Sequence, residues 1–117
     1  MITVASIQEG LRSLARHPLF HQIEVLDLTG HLIKARLWIR ADLFIQVYRN
    51  DHSDMTNLLV VLEQQRVFAR DGIRGLWHKH PFEHPDEHDI SVDGRREVEL
   101  LEFIEEVQEL LIKEDLL

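Results

Sequence analysis

The chain has 117 residues, 44% of them hydrophobic and 29% charged, with 5 Gly, 3 Pro and no cysteine. That length and composition suit one globular domain over residues 1–117 with a single ordinary core, and they exclude fibrous or low-complexity chains. Without cysteine there is no disulfide framework, thiolate metal site or thiol nucleophile. No apolar run approaches the roughly 20 residues of a membrane helix, so a cytoplasmic protein with no membrane partner is expected.

The net charge of −8 argues at first against a nucleic-acid partner, because phosphate binding needs a positive footprint. The acidity is concentrated, however. Residues 97–117 hold eight carboxylates against Lys113 alone, whereas segment 31–80 sets eight Lys or Arg side chains against five carboxylates. A basic surface away from the C-terminal segment is therefore compatible with the total.

In chain order, Ser6-Ile7-Gln8-Glu9 has capping-box spacing, and Val4, Ile7, Leu11, Leu14 and Ala15 fall on one helical stripe that Pro18 ends. This predicts a helix over about 4–16. Gln22–Leu28 and His31–Arg40 read as strands joined at Thr29-Gly30, a two-residue hairpin signal. In the second, Ile33, Ala35, Leu37 and Ile39 point one way and Lys34, Arg36, Trp38 and Arg40 the other. Further strands are predicted at Leu43–Arg49, Asn57–Glu63 and Arg66–Asp71. Short connections favour a meander, so the expected fold is α+β: a five-stranded antiparallel sheet flanked by an N-terminal and a C-terminal helix. From Gly72 to Gly94 no period is sustained, and a loop of that length in a compact domain points to function. Asp93 is the predicted cap of a last helix over about 95–114, whose stripe is Leu100, Phe103, Ile104, Val107, Leu110 and Leu111.

Three groups carry candidate chemistry. The first is the stretch from Trp77 to His88. In an extended segment His78 and His80 project to the same side, where one imidazole can take a ribose 2′-OH proton while the other protonates the leaving oxygen. Alternatively His78, His80, His84 and His88 hold zinc or nickel, with Asp86 or Glu87 completing the set. The bland reading is a solvated surface loop. The second group is the row Lys34, Arg36, Trp38 and Arg40: arginines for phosphate and an aromatic on which an unpaired base can stack. Against this stands an ordinary sheet face with Trp38 covered by a helix. The third is Arg49 and Arg70 at strand ends, either stabilising charge on a pentacoordinate phosphate or ion-paired to Asp51 and Asp71. Leu101, Ile112, Leu116 and Leu117 lie outside the last helix's stripe, an apolar excess that suits a homodimer or another protein partner.

The run Ala41-Asp42-Leu43-Phe44-Ile45-Gln46-Val47-Tyr48-Arg49-Asn50, then Arg70-Asp71, then Trp77-His78-Lys79-His80-Pro81 resembles the TumE family. These are small proteins assigned as the toxin half of bacterial and archaeal toxin–antitoxin modules. The likeness covers about residues 22–90, with Trp-His-x-His-Pro its most telling piece. It implies a growth-inhibiting protein neutralised by a cognate antitoxin, and the matching positions are Tyr48, Arg49, Arg70, Asp71, His78 and His80. The combined expectation is a metal-independent endoribonuclease without a cofactor. His78, His80, Arg49 and Arg70 would be catalytic, and Lys34, Arg36, Trp38, Tyr48 and Asp71 would bind RNA.

Overall fold

The computed structural model describes all of residues 1–117. Helix α1 (Val4–Leu14) precedes six strands, β1 (Gln22–Leu28), β2 (Leu32–Arg40), β3 (Leu43–Asn50), β4 (Met55–Leu62), β5 (Gln65–Ile73) and β6 (Leu76–His80), and α2 (Leu100–Lys113) follows. The strands form one antiparallel sheet in sequence order, so the α+β meander stands and its strand count is corrected from five to six.

The sixth strand lies inside the segment read as a loop. Arg74 and Gly75, with φ of 52° and 80°, form a two-residue turn whose left-handed backbone matches the sheet twist, and this starts β6. Its sequence, Leu-Trp-His-Lys-His, shows no apolar alternation because it is an edge strand with histidines on one face. Trp77, on the other face, lies directly over Gly72 of β5, where a methyl group would collide with the indole.

Helix ends differ from the expected caps. Thr3, not Ser6, caps α1: Ser6 N donates to Thr3 Oγ1 at 3.0 Å and Thr3 N to Ser6 Oγ at 2.8 Å. Asp51, from the β3–β4 turn, also accepts from Val4 N at 3.1 Å and thereby ties the sheet to the positive helix end. The last helix begins at Leu100 instead of about 95. Glu99 is its cap, with its N–H donating to Glu102 Oε1 at 3.2 Å. Asp93 is taken up by Arg70 and Lys79 instead.

Both helices lie on one side of the sheet. Register across the ladders puts Ile33, Ala35, Leu37, Ile45, Val47, Leu58, Val60 and Phe68 on that side. They pack in a cluster of 21 buried residues with Val4, Ile7, Leu11 and Leu14 of α1 and Phe103, Ile104, Val107 and Leu111 of α2. No helix is long and apolar enough to cross a membrane.

Candidate functional site

Because side chains alternate along a strand, the residues paired across each ladder share a face. On the side away from the helices the register sets Lys34, Tyr48, Asn57, Asp71 and His78 in one row across β2 to β6. A second row runs Arg36, Gln46, Leu59, Ala69 and His80. At the usual strand spacing each row spans about 19 Å. All five RNA-binding candidates, Lys34, Arg36, Trp38, Tyr48 and Asp71, therefore share this open face with the histidine pair.

Trp38 is not under a helix. Its ring packs on Phe44 at 4.6 Å between centroids, its indole N–H donates to Glu24 at 3.2 Å, and the Arg36 guanidinium stands 4.8 Å from the Phe44 centroid. Arg36 is further fixed by donating to Gln46 Oε1 at 3.1 Å. The result is a braced aromatic platform with a cation beside it. Tyr48 accepts from Asn50 Nδ2 at 3.3 Å, which orients its ring within the first row.

The histidines of β6 converge on Asp71. His78 Nε2 and His80 Nε2 are 3.1 Å apart, and Asp71 Oδ2 lies 3.3 Å from His80 Nε2 and 3.6 Å from His78 Nε2. His80 is nearly inaccessible. Its Nδ1 contacts the Pro85 carbonyl at 2.9 Å; a carbonyl only accepts, so Nδ1 carries the proton and Nε2 presents a bare lone pair to the cluster. Burial, with the charges of Arg66 and His78, pulls the His80 pKa below the ordinary imidazole value, against the upward pull of Pro85 O and Asp71. Asn57 Nδ2 donates to Asp71 Oδ1 at 3.0 Å and leaves Oδ2 for the imidazoles.

The following segment folds over this edge. Asp89 pairs with Lys79 through two backbone hydrogen bonds of 3.2 and 2.7 Å, which brings His88 alongside the cluster, 4.5 Å from the His78 ring centre and 4.8 Å from that of His80. His78, His80 and His88 each contribute a ring nitrogen to a set lying within 4.8 Å of one another. His84, Asp86 and Glu87, the other members of the metal-ligand reading, are exposed and stand outside it. A groove of about 570 Å³ adjoins His78 and His88, walled by Leu76, Ile90, Val92 and Arg95.

Arg49 and Arg70 do not join the histidines; this corrects the expectation of one shared cleft. Each sits one residue from an open-face position, Tyr48 and Asp71, and so points to the helix side. Arg49 donates to Asp51 and Asp54, both at 2.9 Å, and to Thr56 Oγ1 at 3.1 Å. Arg70 is fully buried; it donates twice to Glu106 at 2.6 Å, to the Asp93 carbonyl at 2.8 Å and to Asp93 Oδ2 at 3.0 Å, and makes no pair with Asp71. Burial lowers the pKa of each guanidinium, but the hydrogen bonds and carboxylate charges outweigh it and the net direction is up. Two cations stand nearby: Arg66, whose Nη2 donates to Pro85 O at 3.1 Å on the Nδ1 side of His80, and Arg95, which lines the groove with His78 and His88. Asn57 and Arg66 carry no signal in the sequence, since their relation to Asp71 and His80 exists only through register and the fold-back after β6; His88 is legible there only as a member of the metal-ligand reading.

Comparison of the chain with protein-family models, with curated proteins and with solved structures finds no match.

Proposed function

We propose that this chain is the toxin of a toxin–antitoxin pair and acts as a metal-independent endoribonuclease across the open face of its sheet, with Asp71, His78 and His80 as the reaction centre. The observation that carries the reading is the 3.1 Å approach of two imidazole nitrogens beside one carboxylate, on the same face as a base-stacking platform. In this mechanism RNA lies along the Lys34–Tyr48 and Arg36–Trp38 positions, with a base in the groove beside His88. In this reading substrate entry parts the 3.1 Å contact between the two imidazoles, the bare Nε2 of His80 then takes the 2′-OH proton, and the 2′ oxygen attacks phosphorus. His78 Nε2, beside Asp71, is the proton donor to the departing 5′ oxygen. The products are a 2′,3′-cyclic phosphate and a 5′-hydroxyl. Arg66 and Arg95 are the cations available to the phosphorane, in place of Arg49 and Arg70.

Resemblance to the TumE family over about residues 22–90 supports the toxin assignment and implies a cognate antitoxin as partner. Leu101, Ile112 and Leu117, 44%, 62% and 51% exposed around α2, are available for that contact or for self-association.

The test is growth and total RNA in cells expressing the wild type or the His78→Ala/His80→Ala double variant. Arrest with fragments ending in cyclic phosphate is expected for the wild type alone. Equal arrest from both, with intact RNA, removes the enzymatic reading.

A further inference from the structure

The donors around Asp71 have a second use. A tetrahedral metal ion bound at about 2.0–2.1 Å sets its ligand atoms about 3.3–3.4 Å apart. The three separations among His78 Nε2, His80 Nε2 and Asp71 Oδ2 are 3.1, 3.3 and 3.6 Å, so these atoms already approximate one triangular face of such a polyhedron. His88 supplies a fourth donor within 4.8 Å of the other two imidazoles; it is exposed, so a ring rotation can bring it closer without disturbing the core. Outer partners are in place as well. The His80 Nδ1–H is anchored on Pro85 O at 2.9 Å, and Asp71 Oδ1 is held by Asn57 at 3.0 Å, which aims the lone pair of one ligand and the free oxygen of the other inward.

We propose that His78, His80, His88 and Asp71 form a binding site for one zinc ion, a borderline-soft divalent metal that suits three imidazoles and a carboxylate. A bound ion occupies the lone pairs that the proton-transfer scheme needs, so zinc holds the protein inactive; this second half rests on the proposed cleavage reaction, the first does not.

The probe is cobalt(II), titrated into full-length chain purified without an affinity tag, stripped with chelator and desalted. The expected result is the intense visible absorption of tetrahedral cobalt, saturating at one equivalent and abolished by one equivalent of zinc. His88→Ala should weaken binding strongly while circular dichroism stays unchanged, because that side chain is exposed. Asn57→Ala should weaken it by about tenfold through loss of Asp71 orientation. His84→Ala should match the wild type. Weak octahedral absorption in the wild type, or equal losses from His84→Ala and His88→Ala, overturns the site. RNA cleavage is then compared between stripped and zinc-loaded protein: loss on loading and recovery with chelator support inhibition, and faster cleavage on loading overturns it. If stripped protein binds cobalt but cuts no RNA at all, the ribonuclease reading fails and the metal site stands.

Discussion

Replacing Arg70 with Met separates a structural role from a catalytic one. The guanidinium is fully buried and gives four hydrogen bonds, two of 2.6 Å to Glu106 on α2 and two to Asp93 in the segment before it. Met fills much of the aliphatic stem's volume, so the loss is chiefly that of the ion pair. Breaking a buried pair by removing one partner costs about 3–5 kcal/mol. Here the stranded Glu106 keeps 29% of its side-chain surface and Asp93 keeps 52%, so both regain part of their hydration and the lower end, about 3 kcal/mol, applies. With a urea slope of about 1.5 kcal/mol per molar, the unfolding midpoint falls by about 2 M. Adding Glu106→Leu removes the uncompensated charge and should restore much of that loss. Urea titration followed by circular dichroism measures both variants, with RNA cleavage per folded molecule assayed in parallel. Cleavage should persist, since Arg70 lies on the helix side of the sheet. An unchanged midpoint together with abolished cleavage would refute the reasoning, because the guanidinium would then be serving substrate and not the α2 contact.

Gly72→Ala forces the Trp77 indole off β5 and should cost about 1–3 kcal/mol with a red shift in tryptophan emission; an unchanged spectrum and melting temperature would mean the ring is not seated there. Trp38→Ala removes the stacking platform, so affinity for single-stranded RNA should fall by about 1–3 kcal/mol in fluorescence anisotropy, with cleavage of a dinucleotide nearly unaffected; equal losses on both substrates would argue against a stacking role. The hydrogen bond from Lys79, followed by Arg70, holds the Asp93 carboxyl down at about 2 from its usual 3.8. The depressed value means that its stabilising contribution is complete above about pH 4 and is lost as pH falls toward 2. Asp93→Asn should therefore flatten the acid limb of stability against pH, and an unaltered limb counts against the Lys79 and Arg70 contacts.

Much of the sheet was legible because its inner face alternates except at three register shifts, Val25/Asp27, Trp38/Arg40 and Val60/Val61. The second takes Arg40 out of the expected outward row, pairing it with core-facing Leu43 while its guanidinium donates to Leu116 O at 2.6 Å. Gln22–Leu28 emerges with the expected bounds, and β2 to β5 shift by only one or two residues. The α1 stripe was plain for Val4, Ile7, Leu11 and Leu14, whereas Ala15 is exposed at the C-cap and the helix ends at Leu14 instead of about 16. What escaped was set by partners distant in sequence. Thr3 is the cap through a reciprocal box with Ser6, and Asp51 reaches over from the β3–β4 turn to accept from Val4 N at the same helix end. Asp93 leaves the helix cap because Arg70 and Lys79 offer it charge-assisted hydrogen bonds. Strand β6 was hidden because its identity rests on a left-handed Arg74-Gly75 turn and on Gly72 making room for Trp77. Parity alone separates Arg49 and Arg70 from the histidines. Arg49 alternates in step with Ile45 and Val47, and Arg70 with Phe68, all on the side that the helices cover. Convergence of Asp71, His78 and His80, by contrast, needed the β5–β6 register, which no single strand carries.

The division of the sheet into a helix-covered side and a bare side constrains how this gene can change length. Consecutive codons in β5 serve opposite surfaces: Arg70 clamps α2, and Asp71 faces the imidazoles. Losing one codon upstream within that strand would exchange the two parities, turning a carboxylate under the helices and a guanidinium toward solvent, so stability and the candidate site would fail together. Length variation among descendants of this chain should therefore collect in turns that hold no site residue, such as residues 29–31 and 63–64, while the strands between them tolerate replacement but not insertion.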